Sequence, residues 1–489
     1  MPSNKEADRI ESAITGHDGR ALPLVLDLDG TLIRSDLLYE QALDLLRRKP
    51  VELFNALATS LFASKAALKD KIAKHAEIDP ASLPYRDDLV DYARRAKENG
   101  RSVVLATASH QEVAHIVADH LGIFDAVFAT DAKTNLKGSA KADRLSQEFG
   151  AGGFVYAGDS KADAAVWQKS GGAILVGKTD KLRKISSAET EVEFPDTDNK
   201  VLAIFKEMRI YQWVKNILVF VPMLAAGRID DLGLWLTGII AFMSFSLMAS
   251  GVYILNDMLD LETDRKHPRK RLRPFASGAL PIQIGFILAP ALFLASIGLS
   301  LIAGPALTGV LMAYAVLTSL YSIYLKTQPL VDVFTLACLY SVRVLGGGVA
   351  TGVLPSIWLL SFSGLLFLSL AFLKRYHETE ALGHASEKSR RGYHEGESLI
   401  QMQMGLSSGF ASAIVFAIWL ESNAFSATYS NQIALWLVTP LILLWQCRLW
   451  LAAFRNKMHD DPIVYTAKDR ISWYIFALSG ILYGVGLHA

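Results

Sequence analysis

The stretch Leu22-Pro-Leu-Val-Leu-Asp-Leu-Asp-Gly-Thr31 places two carboxylates directly after a short apolar run. A run of this kind predicts a buried β-strand, and Asp27 and Asp29 then stand at its carboxyl end. In an open α/β sheet, ligands bind beyond the carboxyl ends of the strands. The N-terminal part of the chain is therefore predicted to be a Rossmann-like α/β domain with a binding site at that edge.

Two later apolar runs end in the same way. Ser102–Thr107 ends in a hydroxyl group, and Gly153–Ser160 contains Asp159, with Asp163 four residues further on. Between these two runs, Lys141 begins a helical stretch that continues to Phe149. A single aspartate at a strand end is common, but four such features in order indicate one site that handles phosphate with a divalent cation, because hard oxygen ligands suit Mg²⁺.

The set resembles the haloacid dehalogenase superfamily of phosphohydrolases over about residues 22–184. The resemblance implies that Asp27 is the nucleophile and that Asp29 is the general acid/base. Thr107 and Lys141 would bind the phosphoryl group, with Lys137 as the second candidate for the lysine role. The implied Mg²⁺ ligands are Asp27, Asp29, Asp159 and Asp163. The domain is expected to span 1–190, and the helical stretch from Asp36 to Ile78 predicts a cap at about 36–85.

Beyond about Lys200 the composition changes, so that the net charge of +1 averages two unlike regions. Ser186–Asn199 is polar and acidic and predicts a linker; the linker or interfacial segment is placed at 191–208. Val201–Tyr211, which overlaps the end of this segment, has the pattern of a helix that either lies on a membrane surface or packs against the soluble domain. Cys338 and Cys447 lie in apolar segments and indicate neither a metal site nor a disulfide.

The region 209–489 predicts an all-α membrane bundle of about nine spans, since a spanning helix needs roughly 20 apolar residues. The expected spans are Asn216–Gly227, Leu232–Leu255, Ile282–Ala303, Ala306–Leu325, Leu330–Ala350, Ile357–Leu373, Leu399–Leu420, Ile433–Ala453 and Ser472–His488. The basic loops alternate with loops that are poor in Lys and Arg, so the positive-inside rule predicts a cytoplasmic N-terminal domain and an outward C-terminus in the inner (plasma) membrane. These basic loops contain Arg265 to Arg273, Lys326, Lys374 to Arg391, and Arg455 to Arg470.

A second acidic motif follows the second predicted span. Asn256, Asp257, Asp260 and Asp264 recur at spacings of three to four and are predicted to line one face of a continuing helix. Carboxylates that repel one another at such a spacing favour a bound cation, and Mg²⁺ would bridge them to a diphosphate. A solvated helix end remains the structural alternative.

The sequence from about Arg209 to Ala489 resembles the UbiA-type intramembrane prenyltransferase superfamily, and within it the decaprenyl-phosphate phosphoribosyltransferases. The residues that carry this resemblance are Gln212–Asn216, Asn256–Pro274, Tyr321–Lys326, Asp332, Arg343, Gly346–Gly348, Asp460–Pro462 and Asp469–Arg470. Members with aromatic substrates have a second aspartate motif after the sixth span. Here Lys374–Glu380 contains no aspartate, which favours the phosphoribosyl branch.

The resemblance implies Mg²⁺-dependent transfer of 5-phosphoribose from phosphoribosyl pyrophosphate to a polyprenyl phosphate. The catalytic pair would be Asp257 and Asp260, and Asp264 would be a third metal ligand. The residues that the resemblance implies in substrate binding are Lys215, Asn216, Asn256, Asp264 and Asp332. Those that it implies in phosphate binding are Lys266, Arg271, Arg273, Lys326 and Arg343. The basic loop residues also have a simpler role, since they set topology and meet anionic lipid.

The expected whole is a bifunctional membrane enzyme whose N-terminal domain removes the 5-phosphate and gives polyprenyl-phosphate ribose for cell-envelope polysaccharide. An aromatic prenyltransferase of quinone or haem biosynthesis is the alternative, and a transporter with a regulatory phosphatase domain is a third. The sequence predicts no nucleic-acid partner, and homo-oligomerisation is possible but not determined by it.

Overall fold

The computed structural model describes residues 13–16, 19–60, 65–131, 134–382, 392–394, 396–422, 429–458 and 461–488. The chain forms two compact units. The N-terminal unit comprises Met1–Glu207 and Ile254–Ile287, and the helical unit comprises Met208–Tyr253 and Leu288–Ala489. This division differs from the domain boundaries expected from the sequence, because Ile254–Ile287 packs with the N-terminal residues.

A parallel sheet of six strands, in the order β3-β2-β1-β4-β5-β6, forms the centre of the N-terminal unit. The strands are β1 Leu24–Leu26, β2 Val103–His110, β3 Ala126–Thr130, β4 Val155–Gly158, β5 Gly172–Gly177 and β6 Thr190–Pro195. Leu24 and Leu26 pack into one apolar core and Val25 into another. The sheet is thus covered on both faces, as is usual for parallel strands.

Helices of the N-terminal unit cover the sheet and form the segment between the first two strands. They are α1 Leu37–Arg48, α2 Pro50–Ser60, α3 Lys65–Ala73, α4 Asp87–Glu98, α5 Gln111–Leu121, α6 Ser139–Phe149, α7 Ala164–Trp167, α8 Thr179–Leu182 and α9 Lys200–Glu207. Helices α1 to α3 lie in the predicted cap region. The strands before Asp27 and Asp159 are where the sequence places them, and the predicted strand Ser102–Thr107 corresponds to β2, which continues past Thr107 to His110. The α/β fold is confirmed.

The predicted linker is partly wrong. Thr190–Pro195, in the middle of the polar stretch Ser186–Asn199, forms β6 and pairs in parallel with β5. Val192 and Phe194 alternate towards the core and are buried. Two apolar residues were enough to make an edge strand in a segment whose composition is otherwise that of a linker.

The helical unit and the helices that join it contain eight described helices that are long and apolar enough to cross a membrane. The helices after α9 are α10 Val221–Ala225, α11 Leu232–Leu259, α12 Leu261–Arg265, α13 Ile282–Ala303, α14 Pro305–Ile323, α15 Val331–Thr351, α16 Ile357–Leu382, α17 Ser398–Leu420, α18 Gln432–Trp436, α19 Val438–Phe454, α20 Pro462–Lys468 and α21 Arg470–His488. The polytopic helical architecture is confirmed.

The first predicted span, Asn216–Gly227, is not a long helix. A 3₁₀ segment, Ile210–Phe220, is followed by the short helix α10, and the two together are shorter than the roughly 20 residues that a spanning helix needs. Pro222 lacks a backbone donor, which favours a fresh helix start at this point. The described residues therefore contain eight long spans and one short apolar segment.

Helix α15 is the most buried span of the helical unit. Its apolar window is 67% buried, against 22% for α14. Gly347 lies where α15 meets the 3₁₀ segment, and a Cβ there would lie 1.8 Å from the carbonyl oxygen of Val219. The absence of a side chain thus lets the backbone that carries Lys215 and Asn216 approach the helix that carries Arg343.

Candidate active sites

Three carboxylates converge at the carboxyl edge of the sheet in the N-terminal unit. Asp27 follows β1, Asp159 follows β4, and Asp163 lies in the 3₁₀ turn Lys161–Asp163. One oxygen from each lies within 4.8 Å of the other two. A set of hard oxygen donors at this separation fits Mg²⁺, so these three residues could hold the ion that the sequence predicts.

The charge of Asp27 is balanced by a lysine that the sequence also predicts. Lys141 Nζ lies 2.9 Å from Asp27 Oδ1, and its side chain is almost wholly buried. The same ammonium group donates a hydrogen bond of 2.8 Å to the hydroxyl of Tyr156, which donates one of 2.9 Å to Asp163 Oδ1. Tyr156 therefore links the lysine to a carboxylate of the three-carboxylate group.

The electrostatics of this group favour cation binding. Burial raises the pKa of Asp27 to about 6, although Lys141 opposes the shift. Burial and the neighbouring carboxylates of Asp163 and Asp27 raise the pKa of Asp159 to about 7. Packing these anions together without a cation is unfavourable, and a bound divalent ion would relieve that repulsion.

Asp29 occupies a separate position. Its carboxylate accepts hydrogen bonds from the backbone N–H of Leu37, at 2.8 Å, and from the hydroxyl of Ser109, at 2.5 Å. Burial, followed by the charge of Asp36, raises the pKa of Asp29 to about 6. The Asp29 side chain lies outside the three-carboxylate group of the described residues, and its raised pKa suits a residue that gives and takes a proton near neutral pH.

Beside the predicted Thr107, the fold brings two side chains to this site that the sequence does not predict, Lys69 and Tyr156. Thr107 is buried and its hydroxyl accepts from the backbone N–H of Ser109. Lys69, on cap helix α3, donates to the carbonyl of Ala108 at 2.7 Å. The sequence does contain a signal for Tyr156, because a tyrosine inside a buried strand normally needs a hydrogen-bond partner for its hydroxyl group. Lys69 gave no comparable signal, because the fold alone brings the cap to β2.

The second acidic motif lies in the same N-terminal unit. Helix α11 ends at Leu259, and the backbone N–H groups of Asp260 and Asp264 bond to the carbonyls four residues earlier. Asp257 and Asp264 are buried and both approach Arg273 Nη1, at 2.8 and 2.5 Å. The predicted helix continues with a break at Asp260, and two of its carboxylates meet at the guanidinium group of Arg273. Their oxygen donors fit a hard cation.

The predicted basic residues around this motif differ in their surroundings. Lys266 lies 2.9 Å from both Asp79 and Glu262. Arg271 is exposed, whereas Arg273 contacts the acidic motif directly. Of the predicted phosphate-binding residues in this loop, Arg273 is thus the one that reaches Asp257 and Asp264, and the neighbouring Lys270 lies 3.6 Å from Asp264.

A polar cluster lies inside the helical unit. Lys215 Nζ and Lys374 Nζ lie 2.8 and 3.3 Å from Asp461 Oδ2, and the Tyr340 hydroxyl is 3.1 Å from the same oxygen. Burial raises the pKa of Asp461, but the two ammonium groups outweigh this and hold it well below its usual range. We call Lys215, Lys374, Asp461 and Tyr340 the lysine cluster.

Arg343 and Asn216 lie next to the lysine cluster and are hydrogen-bonded to each other. Arg343 Nε donates to Asn216 Oδ1 at 2.7 Å, and its Nη2 donates to the hydroxyl of Tyr314 at 2.9 Å. Asn216 Nδ2 donates to Ser246 at 2.9 Å. The predicted residues Lys215, Asn216 and Arg343 therefore lie together.

Two predicted residues lie elsewhere in the helical unit. The Asp332 carboxylate is 2.6 Å from Arg375 Nε and accepts from the Tyr393 hydroxyl. Lys326 is half-buried in the 3₁₀ turn Leu325–Thr327. Lys374 and Arg375 lie within helix α16, which runs beyond the end predicted for the sixth span. Lys388, Arg390, Arg391 and Asp460 lie outside the described residues.

Comparisons with known proteins match both halves of the chain. Residues 217–473 match the UbiA prenyltransferase family, and residues 24–167 match the haloacid dehalogenase-like hydrolases. The "Uncharacterized protein y4nM" of Sinorhizobium fredii is 37% identical over 468 residues, which is 94% of this chain and 90% of that protein.

Two further proteins each resemble about half of the chain. The "Decaprenyl-phosphate phosphoribosyltransferase" of Mycobacterium tuberculosis is 33% identical over 239 residues, which is 47% of this chain and 78% of that protein. The solved structure of a UbiA homologue from Archaeoglobus fulgidus bound to GPP and Mg²⁺ has a TM-score of 0.42 at 14% identity, covering 58% of this chain and 100% of that one. The chain belongs to the UbiA prenyltransferase family and carries a haloacid dehalogenase-like hydrolase domain at its N-terminus.

Proposed function

We propose that the protein transfers 5-phosphoribose from phosphoribosyl pyrophosphate to a polyprenyl phosphate and then removes the 5-phosphate. The observation that carries the first step is the likeness to the decaprenyl-phosphate phosphoribosyltransferase of Mycobacterium tuberculosis over 78% of that protein's length. The chain also has the Asp257–Asp264 carboxylate pair and the lysine cluster, which offer ligands for the charged groups of such substrates. The second step is supported by the buried Asp27–Lys141 pair.

In the transfer, an ionised phosphate oxygen of the polyprenyl phosphate attacks the anomeric carbon of the ribose. A new carbon–oxygen bond forms, the bond to the diphosphate breaks, and pyrophosphate leaves with its electron pair. The attacking oxygen is already ionised, so no protein base is required. Asp257, Asp260 and Asp264, with Asn256, would hold a Mg²⁺ ion, which would supply positive charge to the leaving diphosphate.

Basic side chains would bind the other anionic groups. Lys215 and Arg343 are buried cations in the helical unit, and buried charges in such a position normally have a partner or a task. We assign them to phosphate binding. Arg273 pairs with both Asp257 and Asp264 and would contact the bound diphosphate. The surroundings of four other predicted residues give less support for substrate binding; these are Lys266, Arg271, Lys326 and Asp332.

In the phosphatase step, the carboxylate of Asp27 attacks the phosphorus atom of the 5-phosphate. A phosphorus–oxygen bond to Asp27 forms as the bond to ribose O5 breaks, and Asp29 donates its proton to that oxygen. Asp29 then takes a proton from water, which attacks the aspartyl phosphate and releases inorganic phosphate. Lys141 and Thr107 hold the phosphoryl group, and Mg²⁺ held by Asp27, Asp159 and Asp163 would offset its charge.

The product, a polyprenyl-phosphate ribose, would be a lipid-linked sugar donor for cell-envelope polysaccharide. The pattern of basic loops supports a protein in the inner (plasma) membrane with a cytoplasmic N-terminal unit and an outward C-terminus. Both reactions would then take place at the cytoplasmic surface.

The test uses membranes that contain the Asp27→Asn variant, incubated with polyprenyl phosphate, Mg²⁺ and labelled phosphoribosyl pyrophosphate. We expect a labelled lipid that keeps its 5-phosphate, and the unaltered protein should convert this lipid to the dephosphorylated form. Absence of any labelled lipid, with folded protein present, would contradict the phosphoribosyl transfer. A prenyl diphosphate with an aromatic acceptor would then be the substrate pair to assay.

A further inference from the structure

The first turn of helix α1 lies between the phosphatase site and the chain segment that enters the membrane. Its first residue, Leu37, donates its backbone N–H to Asp29 at 2.8 Å. Asp36, which caps this helix, accepts a hydrogen bond from the side chain of Gln283. Gln283 is in the first turn of the candidate membrane span α13. The adjacent residues Asp36 and Leu37 therefore connect the proposed general acid/base to a candidate membrane helix.

A buried ion pair fixes the same turn to the acidic motif. Arg265 Nη2 and Nη1 lie 2.6 and 3.1 Å from the two oxygens of Glu40, and the two side chains are only 7% and 9% exposed. The Ser35 hydroxyl donates to Glu40, and Arg265 Nε donates to the carbonyl of Ala276. A bidentate pair of this kind is strong and directional, so it holds α1 in one position against the segment 265–276.

Two further contacts continue this seam beside the site. Gly278 has φ +75°, and a Cβ there would lie 2.4 Å from Cβ of Arg34. The ring of Tyr39 lies 5.5 Å from that of Phe286, again within α13. We call the contacts of Arg34, Asp36, Tyr39 and Glu40 with Arg265, Gly278, Gln283 and Phe286 the seam. It joins the phosphatase site to the first turns of the candidate membrane span α13.

We propose that the phosphatase site accepts a phosphomonoester carried on a membrane lipid in preference to a soluble one, and that the seam presents this substrate to Asp27 and Asp29. The inference rests on the proposed function and deepens its second step, because it adds a preference for the lipid-linked ester over a soluble one and assigns that preference to the seam. A lipid headgroup cannot leave the bilayer surface, so its phosphatase must be held within reach of that surface. A soluble phosphate ester places no such demand.

The test compares two substrates that carry the same 5-phosphate: ribose 5-phosphate in solution, and a synthetic polyprenyl-phosphate 5-phosphoribose in lipid nanodiscs with the full-length protein and Mg²⁺. Release of inorganic phosphate gives kcat/KM for each. We expect at least a hundredfold preference for the lipid in the unaltered protein. Glu40→Gln should lower lipid hydrolysis at least tenfold and change hydrolysis of ribose 5-phosphate by less than twofold.

Two other variants keep the test decisive. Tyr39→Leu removes a ring contact of the seam and leaves the buried ion pair intact, so it replaces Glu40→Gln if that variant does not fold. It should likewise lower hydrolysis of the lipid substrate and leave hydrolysis of ribose 5-phosphate nearly unchanged. Glu77→Gln, at an exposed carboxylate of the same unit that pairs with Arg48, is the matched control and should change neither rate.

The outcomes separate this inference from the proposed function. Equal loss on both substrates, or no loss on the lipid in either seam variant, would overturn the inference while lipid hydrolysis by the unaltered protein upheld the phosphatase step. Hydrolysis of ribose 5-phosphate with none of the lipid would overturn both.

Discussion

Asp332 and Arg375 form an ion pair of 2.6 Å in which the side chains are 0% and 1% exposed. Asp332 lies in the first turn of α15, and Arg375 lies within α16. The Tyr393 hydroxyl donates to the second oxygen of Asp332, and Glu378 also pairs with the guanidinium group. The carboxylate that the sequence predicts to bind substrate is thus engaged in joining two helices and the segment around Tyr393.

We expect Asp332→Asn to destabilise the protein by about 3–5 kcal/mol, because it removes one partner of a buried pair. Thermal unfolding in detergent micelles would measure the loss. Asp231→Asn is the control, since Asp231 pairs with Arg228 at an exposed site where the expected effect is about 0–1 kcal/mol. A stable Asp332→Asn protein that has lost transferase activity would instead favour a substrate role.

The sequence predicts the site at the sheet edge better than it predicts the helical unit, for a physical reason. Parallel strands bring their carboxyl ends to one edge, so Asp27, Thr107 and Asp159 could be placed from strand order alone. No comparable rule pairs Asp332 with Arg375, because the choice depends on which faces of two apolar helices meet. The linker error has a similar origin, since an edge strand needs only alternating apolar residues such as Val192 and Phe194.

The second prediction concerns Tyr156, which bonds to both Lys141 and Asp163. We expect Tyr156→Phe to lower kcat of the phosphatase roughly 10- to 100-fold with little change in KM, since hydrogen bonds to charged groups are worth about 1.5–3 kcal/mol. Steady-state kinetics on a soluble phosphate ester would measure it. Tyr92→Phe is a matched control, because Tyr92 bonds to Glu191 and Arg101 instead. Equal loss of kcat in the two variants would contradict a positioning role.

The third prediction is a pH dependence of metal binding. Asp27 and Asp159, with pKa values of about 6 and 7, bind protons that Mg²⁺ must displace, so the apparent affinity for Mg²⁺ should fall as the pH falls from 8 to 5.5. Both folded-state pKa values are raised above the usual 3.8. The metal-free unit therefore gains stability from these groups below about pH 4 and loses it as the pH rises through 6 to 7.

Thermal unfolding of the protein with and without Mg²⁺ would test both the pH dependence of Mg²⁺ binding and the pH dependence of stability without the ion. Mg²⁺ should raise the melting temperature more at pH 8 than at pH 5.5, and Asp159→Asn should diminish that shift. A Mg²⁺ effect that is independent of pH would contradict the proposed carboxylate site.

The last prediction concerns the lysine cluster. Lys215 Nζ lies 2.8 Å from Asp461, whose carboxylate also faces Lys374, so an anionic substrate group would compete with Asp461 for these two cations. We expect Lys215→Met to lower kcat/KM of the transfer roughly 10- to 100-fold, because the variant loses a hydrogen bond to a charged group. Phosphatase activity should stay unchanged. Transfer of labelled phosphoribose to polyprenyl phosphate and phosphate release would be measured on the same preparation. Lys457→Met, at an exposed lysine, is the control. Loss of both activities would mean that the substitution unfolds the protein, and unchanged transfer would remove Lys215 from the substrate site.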